Sequence, residues 1–251
     1  MLQRMKHAIV TGTSRGIGTA TAKFLLESGW NVTGVARGAA PQELAHDRYE
    51  HASLDLSNPA ATEAWFEHDF APRMDAVEVE RWALINNAGA LDPMKPVARL
   101  GAEETVRAFT LNVSVPLWLM GFSVRLAANT PLRIVNLSSG AATSAYPGWA
   151  AYCGGKAALK MVGEVLALEL DEVEDLKGRD VAIVAYAPHV VATRMQQEIR
   201  EMDASDFPRH ERFVELDRKG ALVSPEDPAR EIAEGVERND LPRFDVRRYQ
   251  P

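Results

Sequence analysis

The sequence predicts an α/β protein, a doubly wound parallel sheet with helices on both faces, and three observations carry that expectation. Short apolar runs alternate with helix-length amphipathic stretches from His7 to Tyr186, the order that builds βαβ units. The first run opens into Gly12-Thr13-Ser14-Arg15-Gly16-Ile17-Gly18, a glycine loop standing between a strand and a helix. No linker, repeat or low-complexity segment breaks the series, so residues 1–251 read as a single domain.

Each element has its own signal. His7–Val10 is a short buried strand. The helix after the glycine loop turns Ile17, Ala20, Thr21, Phe24 and Leu25 to one side and stops at Gly29. Asn31–Val35 is the second strand and His51–Leu54 the third. Ser57 is then expected to cap a helix with Pro59 in its first turn. Trp82–Ile85 is the fourth strand and leads into Asn86-Asn87-Ala88-Gly89. A helical stretch from Val106 to Leu126 contains Pro116, an expected kink or break. Arg133–Leu137 is the fifth strand, Ala151–Val173 a long helix and Val181–Tyr186 the sixth strand. Residues 193–222 are polar and show no strand pattern, and Ser224-Pro225 start a last amphipathic helix. An insertion of that length is more often functional than filler, so it reads as a substrate lid.

Composition excludes several functions. The chain is 46% apolar and 25% charged, able to bury a sizeable core. Its net charge of −7 argues against nucleic acid or an anionic membrane as partner. The single cysteine, Cys153, leaves no intrachain disulfide and suits a reducing compartment. No apolar run is expected to reach the ~20 residues of a membrane span. Met1 to Lys6 run straight into the first strand, leaving no room for a signal peptide. A cytoplasmic location is expected. The six histidines lack metal-ligand spacing, so no metal is expected.

The glycine loop points to a dinucleotide. Gly12, Gly16 and Gly18 let the backbone approach a pyrophosphate, which would rest on the free amides of the following helix. The end of the second strand then selects the cofactor. NAD enzymes place an acid there for the ribose 2′-hydroxyl, whereas here Ala36 is followed by Arg37. Arg37, with Arg15 in the loop, suits a 2′-phosphate, so NADPH is the expected cofactor. Asp55 can either accept from the adenine amino group or hold the turn before Ser57. Asn87, Ala88 and Gly89 sit at the strand edge that meets the ligand crevice, with Gly89 letting the backbone pass the adenine ribose.

Tyr152 and Lys156 are four residues apart on one helix face. Ser139 ends the preceding strand at the same sheet edge. Reducing a ketone takes a hydride at carbon and a proton at the developing alkoxide. Free tyrosine, near pKa ~10, exchanges that proton poorly at neutral pH. A neighbouring ammonium and an oxidised nicotinamide both favour tyrosinate, and Ser139 can hold the carbonyl oxygen. Asn112, from the residues alone, is an ordinary helix-kink asparagine. Cys153 faces about 100° from Tyr152 on the helix and reads as a packing residue.

Together, Thr11-Gly12-x-x-x-Gly16-x-Gly18, Asn86-Asn87-Ala88-Gly89, Asn112, Ser139 and Tyr152-x-x-x-Lys156 resemble the short-chain dehydrogenase/reductase superfamily over nearly the whole chain. Tyr146-Pro147-Gly148-Trp149-Ala150-Ala151-Tyr152-Cys153, His210-Glu211-Arg212-Phe213 and Ser224-Pro225-Glu226-Asp227 look like its sepiapterin-reductase-like branch, and within it the bacterial benzil reductases. The resemblance implies a Rossmann-type domain and reduction of a ketone or α-diketone by NADPH. Tyr152 would be the acid, Ser139 would orient the carbonyl, and Lys156 would assist and anchor the nicotinamide ribose. Asn112 would hold a water linking Lys156 to solvent.

The full set of expected cofactor contacts is Gly12, Ser14, Arg15, Gly16, Ile17, Gly18, Arg37, Asp55, Leu56, Asn87, Ala88, Gly89, Tyr152, Lys156, Pro188, Val191 and Thr193. The resemblance gives Pro188 and Thr193 the nicotinamide carboxamide. His189 departs from it, standing where the family has glycine, and either turns to solvent or faces the substrate. Leu91, Tyr146, Trp149, His189 and Met195 are the expected substrate pocket, suited to an aromatic or bulky carbonyl compound. Leu117, Trp118, Met120, Leu166 and Leu170 make two helices apolar on more than one face, and the resemblance implies a homodimer or homotetramer there. Two rival functions remain open. One is the same chemistry on a β-ketoacyl thioester or a pterin side chain. The other is a non-catalytic NADPH sensor, against which stands the intact trio of Ser139, Tyr152 and Lys156.

Overall fold

The computed structural model describes residues 5–251; the expectation for Met1 to Arg4 lies outside them. Seven strands form one parallel sheet in the order β3-β2-β1-β4-β5-β6-β7. They are β1 (Met5–Thr11), β2 (Asn31–Ala36), β3 (Tyr49–Ser53), β4 (Val79–Asn86), β5 (Leu132–Leu137), β6 (Val181–Ala187) and β7 (Phe244–Arg248). The chain winds outward from β1 to β3, returns to β4 beside β1, and winds the other way. That reversal opens a crevice at the strands' C-terminal ends. The glycine loop leaves β1 on one side of it, and Asn87-Ala88-Gly89 leave β4 on the other.

Alternation along each strand feeds two cores. Ile9, Leu84, Ile134 and Ile183 face a layer made by α2 (Pro59–Trp65), α3 (Ala71–Met74), α5 (Val115–Ala127) and α6 (Ala150–Glu172). Ala8, Val10, Ile85, Val135 and Val184 face α1 (Gly16–Glu27) and α9 (Glu226–Gly235). Between α2 and α3 the helix passes through a π-turn at Phe66–Phe70, whose two rings are fully buried.

Several sequence expectations need correction. The six expected strands omit β7, whose Phe-Asp-Val-Arg-Arg sequence carries too few apolar residues to show a period. Asn58, not Ser57, caps α2, its Oδ1 accepting from the Ala61 amide at 3.1 Å. The segment 102–127 is long and apolar enough for a membrane span by length and composition. In this fold it packs on the sheet, with Val115, Leu119, Met120 and Phe122 buried in the core. Pro116 does not break it. Proline cannot donate to the Asn112 carbonyl four residues back, and the helix α4 (Ala102–Phe109) continues into α5 through a π-turn at Thr110–Ser114. The helix after the glycine loop buries Thr21, Ala22, Leu25 and Leu26, whereas Ile17, Ala20 and Phe24 stay half-buried.

The insertion after β6 is helical. It contains α7 (Arg194–Arg200) and α8 (His210–Arg218), and its base is closed by a parallel bridge between Val191 and Val223.

Candidate active site

The glycine loop is held from below by β4. Asn87 Nδ2 donates to the Thr11 and Gly12 carbonyls at 2.8 and 3.1 Å, and the Asn87 and Ala88 amides donate to Thr11 Oγ1, each at 3.0 Å. A Cβ on Gly18 would lie 2.3 Å from the Gly12 carbonyl oxygen, so only glycine lets the first turn of α1 close over the loop. The N-terminus of α1 has no acid in its first turn and no side-chain cap from Arg15. Its amides and its positive dipole end are therefore open to an anion. Arg15 and Arg37 are exposed, and their guanidinium groups make no hydrogen bond or ion pair among the described residues. This cradle fits a dinucleotide diphosphate.

Asp55 is committed first to its own turn. Its Oδ1 accepts from the Ser57 amide and hydroxyl at 2.9 and 2.8 Å. Those bonds, with the more distant Arg37 and Arg107 charges, hold its carboxyl below the usual range. Leu56 is buried beneath it. Gly89 has a packing task as well. A Cβ there would meet Asn112 Oδ1 at 2.9 Å and Lys156 Nζ at 3.6 Å, so its bareness makes room for those two side chains. Asn112 is buried, and its amide clasps the Ala90 backbone, accepting from the amide at 3.1 Å and donating to the carbonyl at 3.0 Å. Its side chain thereby anchors the loop after β4.

Ser139 leaves β5 extended, and its Oγ accepts from the Ala141 amide at 3.1 Å, starting a 3-10 turn over Gly140–Ala142. That turn packs on the start of α6, which brings the Tyr152 phenol close enough for the Ser139 hydroxyl to act on it. Burial pushes the phenol up to about 12, with Ser139 acting in the opposite direction. Lys156 is also buried. Its Nζ donates to the Leu137 carbonyl at 2.6 Å and lies 5.7 Å from the centre of the Tyr152 ring. Burial lowers its ammonium to about 8. The sequence expectation had Lys156 lowering the phenol. Here burial wins, because the ammonium is directed to Leu137 and lies over the ring.

An aromatic cage closes the open side. Trp149 stacks on Phe207 of the lid at 4.6 Å with 3° between the rings, and meets Tyr152 edge-on at 5.6 Å. Leu91, Met94, Ala141, Ile199 and Phe213 complete the buried cluster, with Tyr146 and Met195 at its margin. Four of the five expected pocket residues therefore come together. His189 stays outside the cluster, exposed, with φ +69°. That left-handed backbone is natural for glycine and strained for histidine. Phe207 was missed because nothing in its local sequence marks a lid residue that stacks on the catalytic helix. Cys153 packs at the cage margin, its thiol donating to the Ser144 carbonyl at 3.7 Å. Val191 is buried at the lid base, and Pro188 is half-buried beside it. The Thr193 methyl lies 3.2 Å from where a Cβ on Gly16 would be, so the lid begins against the glycine loop. No group of metal-ligating side chains occurs among the described residues.

Residues 6–204 match the family described as short chain dehydrogenase. The chain is a short-chain dehydrogenase. The benzil reductase ((S)-benzoin forming) of Bacillus cereus is 36% identical over 249 residues, covering 96% of this chain and 98% of that protein. Its Bacillus subtilis namesake is 33% identical over 227 residues, covering 88% and 89%. A solved short-chain dehydrogenase/reductase from Burkholderia vietnamiensis shares 37% identity with a TM-score of 0.66, covering 80% of this chain and 93% of that one. This short-chain dehydrogenase thus lies on the branch that holds benzil and sepiapterin reductases.

Proposed function

We propose that this short-chain dehydrogenase is a single-domain, cytoplasmic carbonyl reductase that uses NADPH to reduce an aromatic or bulky ketone or α-diketone to the hydroxy compound. One observation carries the reading most. A neutral phenol, a serine hydroxyl and a buried ammonium converge beneath an aromatic cage, at the crevice that the glycine loop shares.

A bound reduced nicotinamide supplies the hydride. Tyr152, kept protonated by burial, donates its proton to the oxygen that becomes the alkoxide. Ser139 holds that oxygen through its hydroxyl. Lys156 keeps a positive charge close to the phenol and offers donors to the ribose hydroxyls. Gly12, Ser14, Gly16, Ile17 and Gly18 supply the diphosphate cradle, and Pro188, Val191 and Thr193 the nicotinamide side. The unpaired Arg15 and Arg37, with no acid at Ala36, support a cofactor bearing a 2′-phosphate. The exposed Leu117, Met161, Val165 and Leu168 on α5 and α6 support a homo-oligomer.

The test is NADPH consumption across a panel of benzil, aryl ketones, acetoacetyl thioesters and sepiapterin. Benzil and aryl ketones should be turned over best, and turnover of none would end the reading. Arg37→Ala should weaken NADPH binding about tenfold or more and leave NADH nearly unchanged. An unchanged preference would remove Arg37 from the phosphate site.

A further inference from the structure

Only four guanidinium groups among the described residues make no hydrogen bond, ion pair or ring contact: Arg15, Arg37, Arg107 and Arg248. Arg15 and Arg37 lie on the phosphate side of the crevice, and Arg107 is on the outer helix α4. Arg248 is different. It is the last residue of the edge strand β7, and its Nη2 lies 3.4 Å from the position a Cβ on Gly140 would take. Gly140 directly follows Ser139, which places that nitrogen no more than about 9 Å from the Ser139 Cα. A larger side chain at position 140 would have to displace the guanidinium.

No ion pair among the described residues compensates that charge. Arg248 pairs in register with Ala187 at the end of β6, and the Tyr249 amide donates to the Ala187 carbonyl at 2.9 Å. The exposed imidazole of His189 follows two residues later. From the lid, Arg209 donates to the Ala145 carbonyl at 3.2 Å and lies 5.2 Å from the Tyr146 ring. Residues 140–149 contain no charged side chain. The neighbouring Arg247 is already paired with Asp245, so no acid on its own strand neutralises Arg248. In a chain of net charge −7, Arg248 thus keeps an unpaired positive charge beside the Ser139 turn.

We infer that Arg248 forms an anion subsite beside Ser139, so that the favoured substrates are keto acids, with the carboxylate on Arg248 and the bulky or aromatic group in the Trp149–Phe207 cage. The inference rests on the carbonyl-reductase function proposed above. A carboxylate adjoining the keto carbon resembles the second carbonyl of an α-diketone in size and adds a charge. Guanidinium suits it through two parallel donors.

The test compares phenylglyoxylate with methyl phenyl diketone, an anionic and a neutral partner sharing the same aryl ketone. In Arg248→Gln, kcat/KM for phenylglyoxylate should fall about tenfold or more through KM, while the neutral diketone stays within about twofold. Arg248→Lys should recover part of the loss, and added salt should weaken the anion alone. Equal losses for both substrates, or no loss for either, would overturn the subsite. Phenylglyoxylate binding to the NADP+ complex, followed by calorimetry, reads the subsite without turnover. Weaker binding in Arg248→Gln supports the subsite even if the parent reduces neither compound. In that event the proposed function fails and the subsite stands.

Discussion

The two sides of the crevice are built by different means. On the cofactor side the backbone does most of the work. Gly12 and Gly18 close on each other, Asn87 ties the loop to β4, and α1 starts without a side-chain cap. On the substrate side the wall consists of side chains from distant segments, Trp149 at the N-cap of α6 against Phe207 and Phe213 in the lid. Backbone cradles tolerate almost no change. Side-chain cages tolerate change and set selectivity, which is how one reaction can be turned to many carbonyl compounds.

The largest contrast should come from Gly18→Ala. Its new methyl would overlap the Gly12 carbonyl, which cannot swing aside. NADPH affinity should fall roughly 10- to 100-fold, measured by fluorescence titration. Normal binding would show that the cradle is looser than its geometry. Phe207→Ala should do the opposite. It removes the ring stacked on Trp149, so KM for an aryl diketone should rise about tenfold with NADPH affinity unchanged. A change in NADPH affinity of similar size would mean that the two sides are coupled.

A smaller effect lies below the crevice, at the foot of β1. His7 donates or accepts at Nε2 with Thr33 at 2.9 Å, while its Nδ1 is buried without a partner beside Phe70 and Trp82. Burial, then the Arg73 charge, lowers its pKa to about 4. The unfolded chain therefore takes up this proton near pH ~6.5 and the folded protein only near about 4. Stability from this group is complete above that window and drains as pH falls through it. Between pH 7 and 5.5 the loss should be about 1 kcal/mol, seen as a lower urea midpoint and abolished in His7→Phe. A flat profile in the parent would show that His7 is hydrated in the folded state.

The same asymmetry explains what could be read from the sequence. Glycines, the Asn87 turn, Ser139 and the Tyr152–Lys156 spacing are local signals, because each answers to the backbone around it. The six strands first expected were legible for the same reason, being apolar and periodic. The edge strand β7 was not, since an edge needs little burial and Phe244 and Val246 alone set no period. Phe207 was hidden because its partner is 58 residues away in sequence. Arg248 was hidden for a similar reason, since its nearness to Gly140 exists only once β7 is placed beside β6. The packing of Gly89 against Asn112 and Lys156 was not legible, because it joins segments far apart in sequence.

The central claim is that Tyr152 delivers the proton as hydride reaches the carbonyl carbon. Single-turnover reduction of benzil by NADPH tests it, with the parent and Tyr152→Phe side by side and NADPH affinity measured for both. No hydrogen bond from the phenol holds the described fold together, so the variant should fold, and its rate is read at saturating NADPH because Tyr152 is itself an expected cofactor contact. Its reduction rate should fall about 10²- to 10⁴-fold. Equal rates in the two proteins, with NADPH bound in both, would contradict the account.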